Sequence, residues 1–145
     1  MNIATGRCLC GAVTIKAPQA NTHDVSVCHC GMCRQWGSGP LMSVECEQDV
    51  VIECEQDVVI EGESNIQRYR SSEWAERAFC RTCGTHLFYQ LVGTHTYELS
   101  AGLFPEGEKR LVNQIYIDLK PTFYSFTQHT PTMTEQQVIE QYAGS

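Results

Sequence analysis

The sequence predicts a mainly β fold of antiparallel strands with a short C-terminal helix, and three observations carry that prediction. Short runs of β-type residues recur at regular intervals with turn punctuation between them. No alternation of strands with long helical periods suggests βαβ units, which favours an antiparallel meander. Seven of the nine cysteines fall into three tight clusters, and a 145-residue chain profits from such points of attachment between strands.

Taken in order, Ala12 to Ala17 alternates apolar and polar residues until Pro18 ends it. Asp24 to Val27 leads directly into Cys28. Leu41 to Cys46, Val50 to Glu53, Gln67 to Arg70, His86 to Leu91 and Thr96 to Ser100 read as further strands. Gln114 to Leu119 reads as the last strand, ended by Lys120-Pro121. Two segments read as helical. Cys30 to Gln35 predicts a single turn that presents its cysteines. Thr134-Glu135-Gln136-Gln137 has the spacing of a capping box and opens a helix over about 134–142. Gly102 to Lys109, with Pro105 and Gly107, is a turn-rich connector.

One internal repeat interrupts this pattern. Glu45-Cys46-Glu47-Gln48-Asp49-Val50-Val51-Ile52 recurs identically as Glu53 to Ile60. An even insertion keeps each side chain on its face of a strand, whereas one added strand would reverse every later strand of a meander. The expectation is therefore that one copy bulges out or lengthens both arms of a hairpin. Cys46 and Cys54 are copies of one position without a metal-type neighbour, and both read as non-ligands.

By length the chain is one domain, 1–145. Its 42% apolar and 19% charged residues do not suggest disorder. A net charge of −7, with no basic stripe to neutralise phosphates, argues against nucleic acid as a partner. Met1 to Arg7 lacks the apolar core of a signal peptide, and no run is long enough to cross a bilayer. The expected location is the cytoplasm, with no membrane partner. Reduced thiols there read as metal ligands, and the odd cysteine count speaks against a secreted disulfide scaffold.

The clusters are Cys8-Leu9-Cys10, Cys28-His29-Cys30-Gly31-Met32-Cys33, and Cys80-Arg81-Thr82-Cys83 followed by Gly84. A closed zinc site takes four thiolates, and a catalytic one commonly keeps three protein ligands and an open position. Seven is four plus three. The two distant pairs can supply the closed site, with Gly84 allowing a tight knuckle turn, and the triplet can supply the open one. Two Zn²⁺ with seven thiolates would take the charge to roughly −10. For Cys80 and Cys83 the alternative is a redox dithiol, though Leu87-Phe88-Tyr89 follow with strand rather than helix character. For the triplet the alternative is a closed site completed by His29, His86 or another histidine. His29 itself, lying between two cysteines of an extended C-x-C, should project away from their sulfurs. Three thiolates leave a zinc complex of net charge −1, which favours holding a nucleophilic substrate thiolate over activating water.

The order C-x-C-G, C-H-C-x-x-C and F-C-x-x-C-G-T resembles the glutathione-dependent formaldehyde-activating enzymes, a family that includes centromere protein V. The resemblance extends to Tyr69-Arg70-Ser71-Ser72, to Arg77 before Phe79-Cys80, and to Asp118-x-Lys120-Pro121-x-x-Tyr124-x-Phe126. It covers a core of about residues 6–130. It implies a β-tent zinc fold and two zincs per chain. Cys8, Cys10, Cys80 and Cys83 would hold a structural zinc, and Cys28, Cys30 and Cys33 a catalytic one. The implied activity is that of a carbon–sulfur lyase, with glutathione or another small thiol and a small aldehyde, formaldehyde by the family's name, as partners. The alternative is a non-catalytic, zinc-stabilised module that binds glutathione or a protein. Glutathione carries two carboxylates, so Arg34, Arg77 and Arg81 are candidates to bind it, against ordinary surface solvation. Trp36 is a candidate pocket wall, against a plain core role. Asp118 and Lys120 read as a structural pair at a strand end.

Overall fold

A computed structural model describes residues 3–47, 58–94 and 96–142. The strands are β1 (Ile3–Arg7), β2 (Thr14–Pro18), β3 (Asp24–Cys28), β4 (Leu41–Glu47), β5 (Val59–Glu61), β6 (Ile66–Arg70), β7 (Ala75–Cys80), β8 (His86–Leu91), β9 (Thr96–Ser100), β10 (Arg110–Ile115) and β11 (Thr132–Met133). Two α-helices, α1 (Gly31–Gly37) and α2 (Glu135–Tyr142), complete the elements together with short 3-10 turns. The fold is mainly β with a short C-terminal helix. The chain divides into two units, Met1–His23 with Ser43–Lys109, and Asp24–Met42 with Arg110–Ser145. Among the described residues no helix is long and apolar enough to cross a membrane.

The first unit is antiparallel throughout, as a meander requires. β2 pairs with β1 on one side and β5 on the other. In a second set β9 pairs with β4 and β8, β8 with β7, and β7 with β6. Alternation drives the packing: β2 and β9 both bury every second residue. Val13, Ile15, Val44, Leu87 and Leu99 are fully buried, each contributing roughly 1.5–3 kcal/mol of transfer free energy. Phe88 meets Tyr97 edge to face at 5.1 Å, and Cys46, buried opposite Tyr97, lies in this core. Gly62 has φ +84°, and a Cβ there would stand 2.1 Å from the Ala12 carbonyl oxygen, so only glycine fits.

His86 to Leu91 and Thr96 to Ser100 form the strands expected of them. β7 escapes a propensity reading because Ala75, Glu76, Arg77 and Ala78 are poor strand formers. It forms because burial and pairing on both sides override propensity. Arg77 is 4% exposed within it, its Nε donating to Ser71 Oγ at 3.2 Å and its guanidinium lying over Tyr89. The strand expected over Val50 to Glu53, Cys54 and most of the octapeptide repeat lie outside the described residues.

The second unit departs from the antiparallel expectation. β10 runs parallel to both β3 and β11. More than 80 residues separate β3 from β10, so no hairpin constrains their direction. The strand expected over Gln114 to Leu119 is displaced: β10 ends at Ile115, and Tyr116 turns the chain at φ 55°, ψ 41° into a 3-10 turn over Ile117–Leu119. Asp118 and Lys120 do not pair with each other. Asp118 Oδ1 accepts from the Glu135 backbone at the start of α2. Lys120 Nζ donates to the carbonyls of Pro121 and Tyr124 and to Ser125 Oγ. The capping box is present as expected: Gln137 Oε1 accepts from Thr134 N at 2.7 Å, and Thr134 Oγ1 accepts from Gln137 N at 3.3 Å.

Candidate metal centres

In the first unit, the β1–β2 turn and the β7–β8 turn bring Cys8, Cys10, Cys80 and Cys83 together. Their four sulfurs lie within 4.8 Å of one another. Cys8 to Cys10 and Cys10 to Cys80 are both 3.7 Å. Tetrahedral coordination at a Zn–S distance near 2.3 Å requires about 3.8 Å between sulfurs, so the donor set fits zinc.

Each turn is a knuckle whose backbone serves the sulfurs. Cys8 Sγ accepts from Val13 N at 3.3 Å, and Gly84, at φ +79°, donates its N–H to the Cys80 carbonyl. Backbone N–H groups, that of Cys83 first, hold the Cys80 thiol below its ordinary pKa. The Thr85 hydroxyl and then its backbone hold Cys83 down to about 5. Two residues that sequence reasoning missed complete the cluster. Asn65 Nδ2 donates to Cys80 Sγ at 3.1 Å while its carbonyl accepts from Arg81 N. Thr85 Oγ1 lies 3.1 Å from Cys83 Sγ and accepts from Leu9 N at 3.0 Å, tying the two knuckles to each other. No motif marks Asn65, which lies 15 residues before the cysteine it serves.

In the second unit, Cys28, Cys30 and Cys33 form the other cluster, again with all sulfurs within 4.8 Å. Cys28 ends β3, and Cys30 is the N-cap of α1, its Sγ accepting from Cys33 N at 3.3 Å. α1 runs two turns, longer than the single turn expected, and ends where Ser38 takes the left-handed conformation at φ 63°. Hydrogen bonds from Cys30 and Cys33, then burial, push the Cys28 thiol far up. Three thiols crowded in this way resist ionisation among themselves, and a cation relieves the conflict. Thiolate donors at this spacing suit zinc. Among the described residues no histidine, aspartate or glutamate joins either cluster.

His29 points away from the sulfurs, as its place between two cysteines predicts. It is fully buried. Nε2 donates to Gln114 Oε1 at 2.8 Å, Gln114 Nε2 in turn donates to Thr130 Oγ1, and Nδ1 accepts from Tyr124 OH at 2.7 Å. Burial first, then Lys120 and Arg34, lower its pKa, so the ring is neutral and this tautomer is consistent. Tyr124 also stacks on the ring at 5.5 Å. His29 N bonds the Ile115 carbonyl at 3.1 Å, so β10 and the 120–126 segment both clamp the residue between two cluster cysteines. Tyr116, immediately after Ile115, holds a left-handed conformation that is costly for a bulky side chain. Burial first, then the charges of Cys28 and Cys30, raise its phenol. Gln114 and Tyr116 carry no local sequence signal.

The substrate-binding candidates lie in different places. Trp36 is half-buried on α1, and Arg77 is buried in β7 of the first unit. Arg81 is exposed beside Cys80, and Arg34 stands on α1 one residue after Cys33.

In class, this is a mainly β protein with two thiol clusters able to hold metal ions. The chain belongs to the glutathione-dependent formaldehyde-activating enzyme family, which it matches over residues 3–120. It is similar to the uncharacterized lyase C29B12.13 of Schizosaccharomyces pombe, with 37% identity over 137 residues that cover 93% of each chain. Its fold is also that of a crystal structure of a Rhodobacter sphaeroides protein from a structural genomics programme. That match has a TM-score of 0.57 and 23% identity, and covers 88% of this chain and 98% of the other.

Proposed function

We propose that this chain is a zinc-dependent carbon–sulfur lyase that joins a thiol such as glutathione to a small aldehyde such as formaldehyde, and runs the reverse cleavage. Cys8, Cys10, Cys80 and Cys83 hold a structural zinc, and Cys28, Cys30 and Cys33 a catalytic one. The observation that carries the reading is the donor count: four mutually close sulfurs in one unit, and three in the other with no fourth protein donor among the described residues. Membership of the family and the relative named as a lyase support the same reaction class.

When bound, zinc at the triplet supplies the positive charge that lowers the pKa of a substrate thiol in a fourth position. The residues of the chain do the rest. Three thiolates keep the site's net charge at −1, so the substrate sulfur stays nucleophilic. The His29, Gln114 and Tyr124 bonds fix the backbone between Cys28 and Cys30 and so fix where that sulfur points. The sulfur lone pair forms the C–S bond, and the carbonyl π pair moves to oxygen. That oxygen takes its proton from solvent, to which the thiol proton is released. Atoms balance as thiol plus aldehyde giving the S-hydroxymethyl adduct. Holding two small reactants together is expected to supply much of the acceleration.

The test pairs elemental analysis with kinetics. Freshly purified, reduced protein should hold two zinc equivalents. It should form the S-hydroxymethyl adduct faster than buffer at matched thiolate concentration. A firm value of one equivalent would sink the four-plus-three partition. Two equivalents without acceleration would leave a glutathione-binding module in place of the enzyme.

A further inference from the structure

Cys80 is 0% exposed, although its neighbours Arg81 and Thr82 stand in solvent. Four thiolates around one divalent ion carry a net charge of about −2. At a sulfur that water does not touch, donors of the protein itself have to meet that charge. The backbone N–H groups of Cys83 and Thr82 are two of them. Among the described residues one side chain outside the cluster adds a third: Asn65 Nδ2, 3.1 Å from the sulfur. The direction of this bond is fixed. Asn65 Oδ1 accepts from the Thr82 hydroxyl at 3.2 Å. A turned amide would aim its oxygen at a sulfur that has no proton to give once it holds a metal.

Asn65 is itself held from two sides. It ends a 3-10 turn, Glu63–Asn65. Its N–H bonds the Gly62 carbonyl at 2.9 Å, and its carbonyl accepts from Arg81 N at 2.8 Å. Gly62 packs against Ala12 and Val13, and Val13 N donates to Cys8 Sγ. One short turn therefore touches both knuckles. It reaches a sulfur of the second directly and a sulfur of the first through Val13.

We infer that Asn65 sets how long the four-cysteine site retains its metal, by donating a hydrogen bond to the Cys80 thiolate where water cannot. This rests on the proposal that this cluster is a closed zinc site, and adds the residue that controls its release. A metal leaves such a site only after one sulfur swings off it. For Cys80 that swing breaks the Asn65 bond, and no water stands ready to replace it. A donor to a charged sulfur makes one of the stronger hydrogen bonds of a protein. Partners of this kind fix both the orientation and the charge of a ligand. The amide suits the task in a way its neighbours in size do not. Alanine in its place leaves the sulfur with backbone donors alone. Aspartate keeps the shape and the acceptor for Thr82, but turns a negative oxygen towards the thiolate. Donation therefore predicts that aspartate is worse than alanine. A residue that merely braces the turn predicts the reverse order.

The experiment uses the full chain loaded with NMR-active cadmium, which takes thiolate ligands as zinc does. Cadmium held by four sulfurs resonates apart from cadmium held by three, and a hydrogen bond to a ligand sulfur couples the donor proton to the metal. In wild type the four-sulfur resonance should correlate with a side-chain amide proton of Asn65. A four-sulfur resonance without that correlation overturns the inference. No four-sulfur resonance at all sinks the closed-site proposal, and the inference with it. A chelator is then added, and the loss of each resonance gives the release rate of each site. Asn65→Ala should release the four-cysteine metal about 10-fold faster than wild type, and Asn65→Asp about 100-fold faster. The triplet should lose its metal at the wild-type rate in both variants. Unchanged rates overturn the inference, and so does faster release from Asn65→Ala than from Asn65→Asp. Equal acceleration at both clusters overturns it too, because the effect is then one of general stability. Should Asn65→Asp fail to fold, the wild-type correlation and the Asn65→Ala rate still decide.

Discussion

The two thiol clusters differ in how they are assembled. Cys8, Cys10, Cys80 and Cys83 meet from two turns, with Cys10 and Cys80 70 positions apart; backbone N–H groups and the Thr85 hydroxyl favour the thiolates of Cys80 and Cys83, whereas against a backbone hydrogen bond at Ala12, burial and the neighbouring thiols raise Cys10 to about 11. Cys28, Cys30 and Cys33 lie within six residues, and hydrogen bonds with Cys30 and Cys33 disfavour ionisation of Cys28. The first arrangement ties distant strands together and prepares two of its ligands, Cys80 and Cys83, for a metal. The second needs little from distant parts of its own cysteine run, yet relies on His29, Gln114 and Tyr124 to hold it in place. On the proposed function, a metal in the first position would become part of folding, and one in the second would be free to do chemistry.

The sharpest way to break this contrast is to remove one sulfur from each cluster. Closing a loop of 70 residues removes about 4 kcal/mol of chain entropy from the unfolded state, and structural zinc adds binding free energy on the order of 10 kcal/mol. Cys80→Ser should therefore yield insoluble or molten protein. Cys30→Ser should stay folded, since serine is itself a good N-cap, and should lose the adduct-forming activity. Near-UV circular dichroism and thermal melts decide it. Equal destabilisation in both variants would make both sites structural.

The clamp on His29 offers a smaller effect. Tyr124→Phe removes the hydroxyl that donates to Nδ1 and leaves a buried acceptor unpaired, costing about 1–3 kcal/mol. The melting temperature should fall, and metal at the triplet should exchange faster with a chromogenic chelator. The four-cysteine cluster should exchange at the wild-type rate. Faster exchange at both clusters would show that the clamp acts on stability in general and not on the triplet.

The smallest effect comes from a cysteine in neither cluster. Burial first, then Glu98 and Glu45, push the Cys46 thiol up to about 12. With a folded pKa above the unfolded value near 9, its contribution is complete below pH 9 and is lost as pH rises towards 12. Wild type should therefore lose stability between pH 8.5 and 10.5 faster than Cys46→Val, as read from urea midpoints. Native protein should resist alkylation at Cys46 over the same range. Parallel pH profiles for the two proteins would mean that Cys46 does not titrate as its burial requires.

Much of this architecture is legible in the residues themselves. The alternation in β2 and β9 and the capping box of α2 can be read locally, because a period of two and a cap four residues long are properties of neighbours in the chain. The clusters are legible for a similar reason, since C-x-C and C-x-x-C bring two sulfurs together within a single turn. β7, however, reads poorly because its partners, not its own propensities, make it a strand. β10 ends at Ile115, four residues early, because Asp118 is engaged at the start of α2, a contact 17 residues away.

From the sequence alone follow the β class, the helix at the C-terminal end, the seven clustered thiols and their division into four and three. Those depend on residue type and short spacing, which any conformation of the chain preserves. Only the tertiary structure decides that Asn65 serves Cys80, that Thr85 ties the two knuckles, that His29 is locked between Gln114 and Tyr124, and that Arg34 Nε reaches back to the His29 carbonyl. Each of these is a contact whose partners are chosen by strand pairing and burial, and a hydrogen-bonding group carries no mark in the sequence of which distant partner the fold will bring to it.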